Sequence, residues 1–187
     1  HNLFLSLITL WVLLPSLPAI GQLPLKPDTA AFREIQWMTF EEAYERNKQE
    51  PRFVFIDVYT DWCGWCKRMD VTTFVHPVIA DYLNQHFYAV KLNAEQKDTI
   101  VIDGMTFVNP HPETRRSSHQ LAIELLRGKM SYPSYVFLNP KNQLLTAIAG
   151  YQPAKELEPI LHYFAEEAYL QTQWEAFRSD FQGKTEE

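Results

Sequence analysis

The only two cysteines of this chain, Cys63 and Cys66, stand three positions apart behind a run of strand length, Arg52–Tyr59 (RFVFIDVY). β-Branched and aromatic residues suit a pleated strand, and a run this apolar reads as the centre of a sheet. A helix is expected to start near Cys63, so both cysteines fall on its first turn, share one face and lie within disulfide reach. Two cysteines exclude a multiply stapled scaffold and an all-cysteine zinc site. His76, His86, His111, His119 and His162 are scattered without ligand spacing, so no metal site is expected. Position 67 is Lys rather than His, which removes haem attachment. An inert staple is the weaker reading, because so small a loop restrains little of the unfolded chain. Redox use of the pair is the reading that remains.

The rest of the chain can house such a pair. Its 187 residues, 46% hydrophobic and 14% aromatic, suit one domain with a real core. The formal charge of −6 leaves no basic face for phosphate backbones, so no nucleic-acid partner is expected. Near the start, Leu3–Leu14 is apolar except for Ser6 and Thr9, and the first charged side chain is Lys26. Twelve helical residues rise about 18 Å, short of a bilayer core of about 30 Å. Pro15 and Pro18 follow, and Ala19-Ile20-Gly21 puts small residues where a secretory cleavage site needs them. The expectation is a bacterial-type signal peptide over residues 1–21, a tether over 22–34, and an exported, periplasmic or otherwise extracytoplasmic protein. No stable membrane span would remain after cleavage; an uncut anchor is the alternative.

Element signals fill residues 35–187. Ile35–Trp37 reads as a short strand, and Thr39 with Glu42 forms a capping box opening a helix to about Lys48. A helix is expected over Val78–His86 and a strand over Tyr88–Leu92. Residues 93–117 form an irregular insert, with Asp103-Gly104 as a type I′ turn between Thr99–Ile102 and Met105–Val108. Ser117 and Gln120 suggest a second capping box before a helix to about Leu126. Strands Ser134–Leu138 and Leu144–Ala149 flank the turn at Asn139–Asn142. Pro153 is expected to open the last helix. Its apolar face holds Leu157, Ile160, Leu161, Phe164 and Ala168, and Trp174, Phe177 and Phe181 continue the pattern. The order β-α-β-α-α-β-insert-α-β-β-α is that of an α/β layered domain with a mixed sheet.

The chemistry sits in Asp61-Trp62-Cys63-Gly64-Trp65-Cys66-Lys67. A helix N-terminus presents unpaired N–H groups and positive partial charge, which favour a thiolate. The first sulfur, nearest the helix end and expected to be the more exposed, should have a lowered pKa, and the second should be more protected. Cys63 is therefore the expected nucleophile and Cys66 the resolving thiol.

FIDVYTDWCGWCKRMD resembles the active-site strand and helix of the thioredoxin superfamily, in particular exported thioredoxin-like proteins and the C-terminal domain of thiol:disulfide interchange proteins. Val90-Lys91-Leu92-Asn93 is similar to the family's next core strand, and Met130-Ser131-Tyr132-Pro133-Ser134 sits where the family carries its cis-proline loop. The resemblance implies a thioredoxin-like fold, a central mixed sheet flanked by helices. It also implies that Asp57 is a buried acid serving Cys66 in proton transfer, with Lys91 pairing beside it. Tyr132 and Pro133 would flank the sulfurs and offer backbone groups to an extended substrate, with Trp62, Gly64 and Trp65 at the rim. Trp65 stands where thioredoxins commonly have proline, and the insert is foreign to a minimal thioredoxin. Arg115 and Arg116 read as part of a solvated loop.

The resulting expectation is an exported thiol–disulfide oxidoreductase, working as a protein-disulfide reductase without a bound cofactor. Its partners would be protein thiol or disulfide substrates and an upstream dithiol electron donor, and it would be a monomer. The alternative is a thioredoxin-fold peptide-binding or chaperone-like module with a non-catalytic disulfide.

Overall fold

The computed structural model describes residues 34–185; the expected signal segment 1–21 and residues 22–33 of the tether lie outside them. In chain order the elements begin with β1 (Trp37–Met38), α1 (Phe40–Gln49), β2 (Phe53–Tyr59), α2 (Gly64–Thr72), α3 (Pro77–His86) and β3 (Phe87–Asn93). A hairpin of β4 (Ile100–Ile102) and β5 (Met105–Phe107) follows, then α4 (Gln120–Leu125), β6 (Ser134–Leu138) and β7 (Leu144–Ala149). α5 (Ala154–Ala165) and α6 (Trp174–Asp180) close the chain around a 3-10 turn at Ala168–Leu170. The five-stranded sheet has the order β1-β3-β2-β6-β7. β1, β3 and β2 run parallel, whereas β6 and β7 join antiparallel. This is the expected thioredoxin-like mixed sheet with β2 at its centre.

Both faces of β2 are covered, which is why its sequence is almost uniformly apolar. Successive strand residues point to opposite faces. Val54, Ile56 and Val58 enter a core completed by α1, α4 and the hairpin, through residues such as Ala43, Leu121 and Ile100. Phe53 and Phe55 enter a second core with α2, α3 and α5, through Met69, Leu83 and Leu161. Rings meet in that second core at packing distance: Phe55 lies parallel to Tyr135 at 5.7 Å, and Phe137 stacks on Phe164 at 4.3 Å. Asp57 is next in the Phe53–Phe55 row.

Local signals account for several boundaries. The Thr39–Glu42 capping box forms as expected, each partner bonding the other's backbone N–H. Asp103 and Gly104 both take positive φ, 48° and 79°, as the type I′ turn requires. Asp103 also accepts from Tyr44 Oη at 2.6 Å and pairs with Lys48, pinning the hairpin on α1.

Two expectations need correction. α4 is capped by His119 rather than by a Ser117–Gln120 box. The buried imidazole accepts the Leu121 N–H through Nδ1 at 3.2 Å, and its Nε2 meets the carbonyl of Asp98 at 3.1 Å. Gln120 instead bonds across to Val108. The last helix also stops at Ala165, where Glu167 adopts a left-handed φ of 55°. Trp174 and Phe177 then fold back onto Tyr163, with ring centroids at 5.3 and 5.1 Å.

The returning tail ends on a buried carboxylate. Glu158, 1% exposed, accepts from the N–H groups of Lys184 and Thr185 and from the Thr185 hydroxyl at 2.7 Å. Burial pushes its carboxyl up, but these donors outweigh that and hold it below the ordinary value. Gly183 passes so close that a Cβ there would meet Glu158 Oε2 at 2.8 Å. Glu158→Ala is expected to cost about 1–3 kcal/mol in urea unfolding and to raise amide exchange at Lys184 and Thr185. Unchanged exchange at those amides would show that other contacts hold the tail.

Candidate active site

The turn from β2 into α2 is closed by the Cys63 N–H, which donates to the Thr60 carbonyl at 3.1 Å. Cys63 is the N-cap of α2, and its Sγ accepts the Cys66 N–H at 3.0 Å. A sulfur so placed receives a backbone donor and the positive end of the helix, both of which favour its anionic form. Cys63 and Cys66 form a disulfide, their Cα atoms 5.3 Å apart. Against expectation Cys63 is scarcely the more exposed, at 4% beside 2% for Cys66. Each is preceded by a tryptophan that leans on another loop. Trp62 meets Tyr132 edge-on at 5.8 Å, and Trp65 lies against Tyr151 at 5.3 Å. Both indoles remain exposed, 47% and 62%. Gly64, Trp65, Arg68 and Tyr151 line an open depression on that side.

The Tyr132–Pro133 peptide bond is cis, as the resemblance implied. Its loop is held by the Gly150 N–H, which donates to Pro133 O at 2.8 Å, and by the Ser134 hydroxyl, which donates to Ser131 O at 2.7 Å.

Asp57 is buried, at 1% exposed. Lys91 stands opposite it in the β2–β3 register, with Nζ 2.8 Å from Asp57 Oδ2. That approach lies off the line of a hydrogen bond, so the contact is an ion pair and neither carboxylate oxygen has a well-aligned donor. Lys91 also bonds Asp70, on the turn of α2 after Cys66. Burial pushes the Asp57 carboxyl up from 3.8 to about 6; the Lys91 charge pulls it back, and Asp70 adds to the rise. For Lys91, burial pulls downward, but the two carboxylates outweigh it and the ammonium is held above its ordinary range.

Sequence reasoning missed three contributors. Asp70 was findable, because it lies four residues after Cys66 on one helix. Tyr135, fully buried with no hydrogen-bond partner for its hydroxyl among the described residues, faces Asp57 only through the β2–β6 register. Arg116 lies exposed in the loop, as expected, but also places its guanidinium 4.6 Å from the centre of the Trp62 ring. Among the described residues no cluster of three or more His, Cys, Asp and Glu is placed to hold a metal ion. No helix among them is long and apolar enough to cross a membrane.

A CxxC disulfide capping the helix behind a central strand, beside a cis-proline loop and above a buried acid, defines a thioredoxin-fold protein. The chain belongs to the Thioredox_DsbH family, described as a protein of unknown function (DUF255), whose model matches residues 28–187. Among solved structures it is similar to a DsbH oxidoreductase, with a TM-score of 0.55 and 16% identity over 78% of this chain and 94% of that one. A thioredoxin from Thermus thermophilus gives a TM-score of 0.52 with 18% identity, over 70% and 87% of the two chains. A putative disulphide-isomerase from Bacteroides thetaiotaomicron gives 0.50 with 24% identity, over 75% and 95%. At these identities the likeness is one of fold. By sequence, the chain is 29% identical over 79 residues to Spermatogenesis-associated protein 20 of Mus musculus. That match covers 42% of this chain and 10% of that protein, so the chain spans about a tenth of its curated relatives.

The raised Asp57 value has a stability consequence. The folded protein holds this proton more tightly than the unfolded chain does, so the contribution is present in full below pH 3.8 and is lost as pH rises through about 6. A shift of that size corresponds to about 3 kcal/mol at most. Asp57→Asn should therefore match the wild type near pH 4 and exceed it in stability above pH 7, read by urea unfolding across that range. An equal difference at both ends would contradict the burial effect.

Proposed function

We propose that the chain is a thiol–disulfide oxidoreductase working chiefly as a protein-disulfide reductase. The observation that carries this reading is the sulfur of Cys63 at the helix N-cap, accepting a backbone N–H and already bonded to Cys66. In the reduced state, Cys63 thiolate attacks one sulfur of a substrate disulfide, a mixed disulfide forms, and the first substrate thiolate leaves. Cys66 then attacks Cys63 Sγ, the second substrate thiolate leaves, and the Cys63–Cys66 disulfide closes. Two electrons pass to the substrate, and its two thiolates take up the protons that the cysteine pair gave up.

In this cycle Asp57 is the proton acceptor for Cys66. Its value near 6 suits that role, because a base works best when its pKa lies near the working pH. Lys91 keeps the acid from staying protonated through the whole neutral range. The cysteine pair carries both electrons, so the proposed cycle uses no bound cofactor, and an upstream dithiol protein restores the reduced form. Tyr132 and Pro133 would offer backbone to an extended substrate, with Trp62, Gly64 and Trp65 at the edges. We place the activity outside the cytoplasm, on the apolar leader-like segment 1–21.

Reduction of insulin disulfides, supplied with a dithiol, should be lost in Cys63→Ser. In Cys66→Ser it should stall as a covalent mixed disulfide visible on non-reducing gels. Turnover that survives Cys63→Ser would overturn Cys63 as the nucleophile, and peptide binding by the wild type without any turnover would leave the peptide-binding module as the better reading.

A further inference from the structure

The insert meets the rim of the redox site with Asn93 and Glu95 at its start and with Arg116 near its end. Arg116 lies exposed above the Trp62 indole, and Trp62 directly precedes Cys63. Among the described residues the Arg116 guanidinium has no ion-pair or hydrogen-bond partner. Its position is nonetheless built. The Arg116 backbone takes a left-handed φ of 64°, which a residue with a Cβ avoids without outside support. That support comes from Asn109, 7% exposed, whose Nδ2 donates to Ser117 O at 2.8 Å while its Oδ1 accepts from the Ser117 hydroxyl at 2.6 Å.

The indole beneath is fixed as well. Trp62 Nε1 donates to Glu95 Oε1 at 2.9 Å, and Tyr132 meets its ring edge-on. The two carboxylates near this rim are already engaged: Glu95 by the indole, and Asp61 by the Asn93 amide at 3.2 Å. What stays uncommitted is a planar fork of N–H donors, stacked on an aromatic face one residue from the nucleophile. That geometry matches a carboxylate, which a guanidinium binds through two parallel hydrogen bonds. In a chain of net charge −6, a cation at the rim offsets the general repulsion of an acidic peptide locally.

We infer that Arg116 is a specificity-determining residue that receives a substrate carboxylate, making peptides with an acidic residue beside the reacting cysteine the preferred substrates. The inference rests on the redox reading for the placement of the substrate disulfide at Cys63.

Matched peptide disulfides carrying Glu, Gln or Lys next to the cysteine test it, with kcat/KM as one readout. The second readout needs no chemistry: titration of the Trp62 indole N–H resonance with the same sequences bearing Ala for Cys. The Glu peptide should exceed the Lys peptide on the order of five-fold in both, as an exposed ion pair supports. Arg116→Gln should bring that ratio below about two-fold, and Arg116→Glu should reverse it. Equal preference in the wild type, or an equal loss for all three peptides in Arg116→Gln, would overturn the inference and leave Arg116 a mere brace for Trp62. A Glu preference in the titration with no turnover of any peptide would count against the redox reading alone and support the carboxylate site.

Discussion

Burial of β2 on both faces is the constraint on which the rest of the structure depends. A strand covered on one face needs only one layer of helices; this one needs two, and the chain supplies α1, α4 and the hairpin on one side and α2, α3 and α5 on the other. Its single polar interruption, Asp57, then has nowhere to meet water. A carboxylate in that position is costly unless paired. Lys91 pairs with it from the neighbouring strand, and the same ammonium reaches Asp70 on α2. The ion cluster therefore ties the sheet to the helix that carries the cysteines.

This arrangement costs stability. A leucine at position 57 would extend the Phe53–Phe55 row and fill the core without an unsatisfied oxygen. The acid instead sits with its pKa pushed to about 6 and both oxygens short of aligned donors. Strongly shifted groups of this kind gather where protons must move. Lys91 alone, at 2.8 Å, offsets only part of the burial, which is why the shift remains upward despite a close cation.

What could be read from sequence followed from short-range rules. The Thr39–Glu42 box, the Asp103-Gly104 turn, the buried β2 run and the Cys63–Cys66 spacing each depend on residues within a few positions of one another. His119 failed that test because its cap is completed by the carbonyl of Asp98, 21 residues earlier, and an imidazole cap has no local signature. The C-terminal aromatics failed for a different reason. Trp174, Phe177 and Phe181 keep a helical spacing with one another, at i, i+3 and i+7, and that spacing serves a continued helix and a separate one alike. Only the left-handed Glu167 decides between the two, and glutamate does not advertise that conformation. At the site, the Asp57–Lys91 pairing came through resemblance, whereas Tyr135 and Arg116 depend on strand register and on loop folding.

The insert shows how the core and the rim are joined. Its first residues leave β3 at Ala94, whose N–H donates to Tyr59 O at 2.8 Å, and its last residues return where the His119 N–H donates to Ala94 O at 2.7 Å. Both ends therefore meet on one buried alanine hooked to the end of the central strand. From that base one arm, the β4–β5 hairpin, sinks Ile100 and Ile102 into the core, and the other carries Arg116 to Trp62. Displacing the hairpin would expose apolar surface, so the loop behind it has a stable footing at little local cost. A side chain held this way approaches the cysteine turn from outside while sharing its foundation, the C-terminal end of β2. The segment that a minimal thioredoxin lacks is thus anchored on the strand that leads to Cys63 and returns over the tryptophan that precedes it.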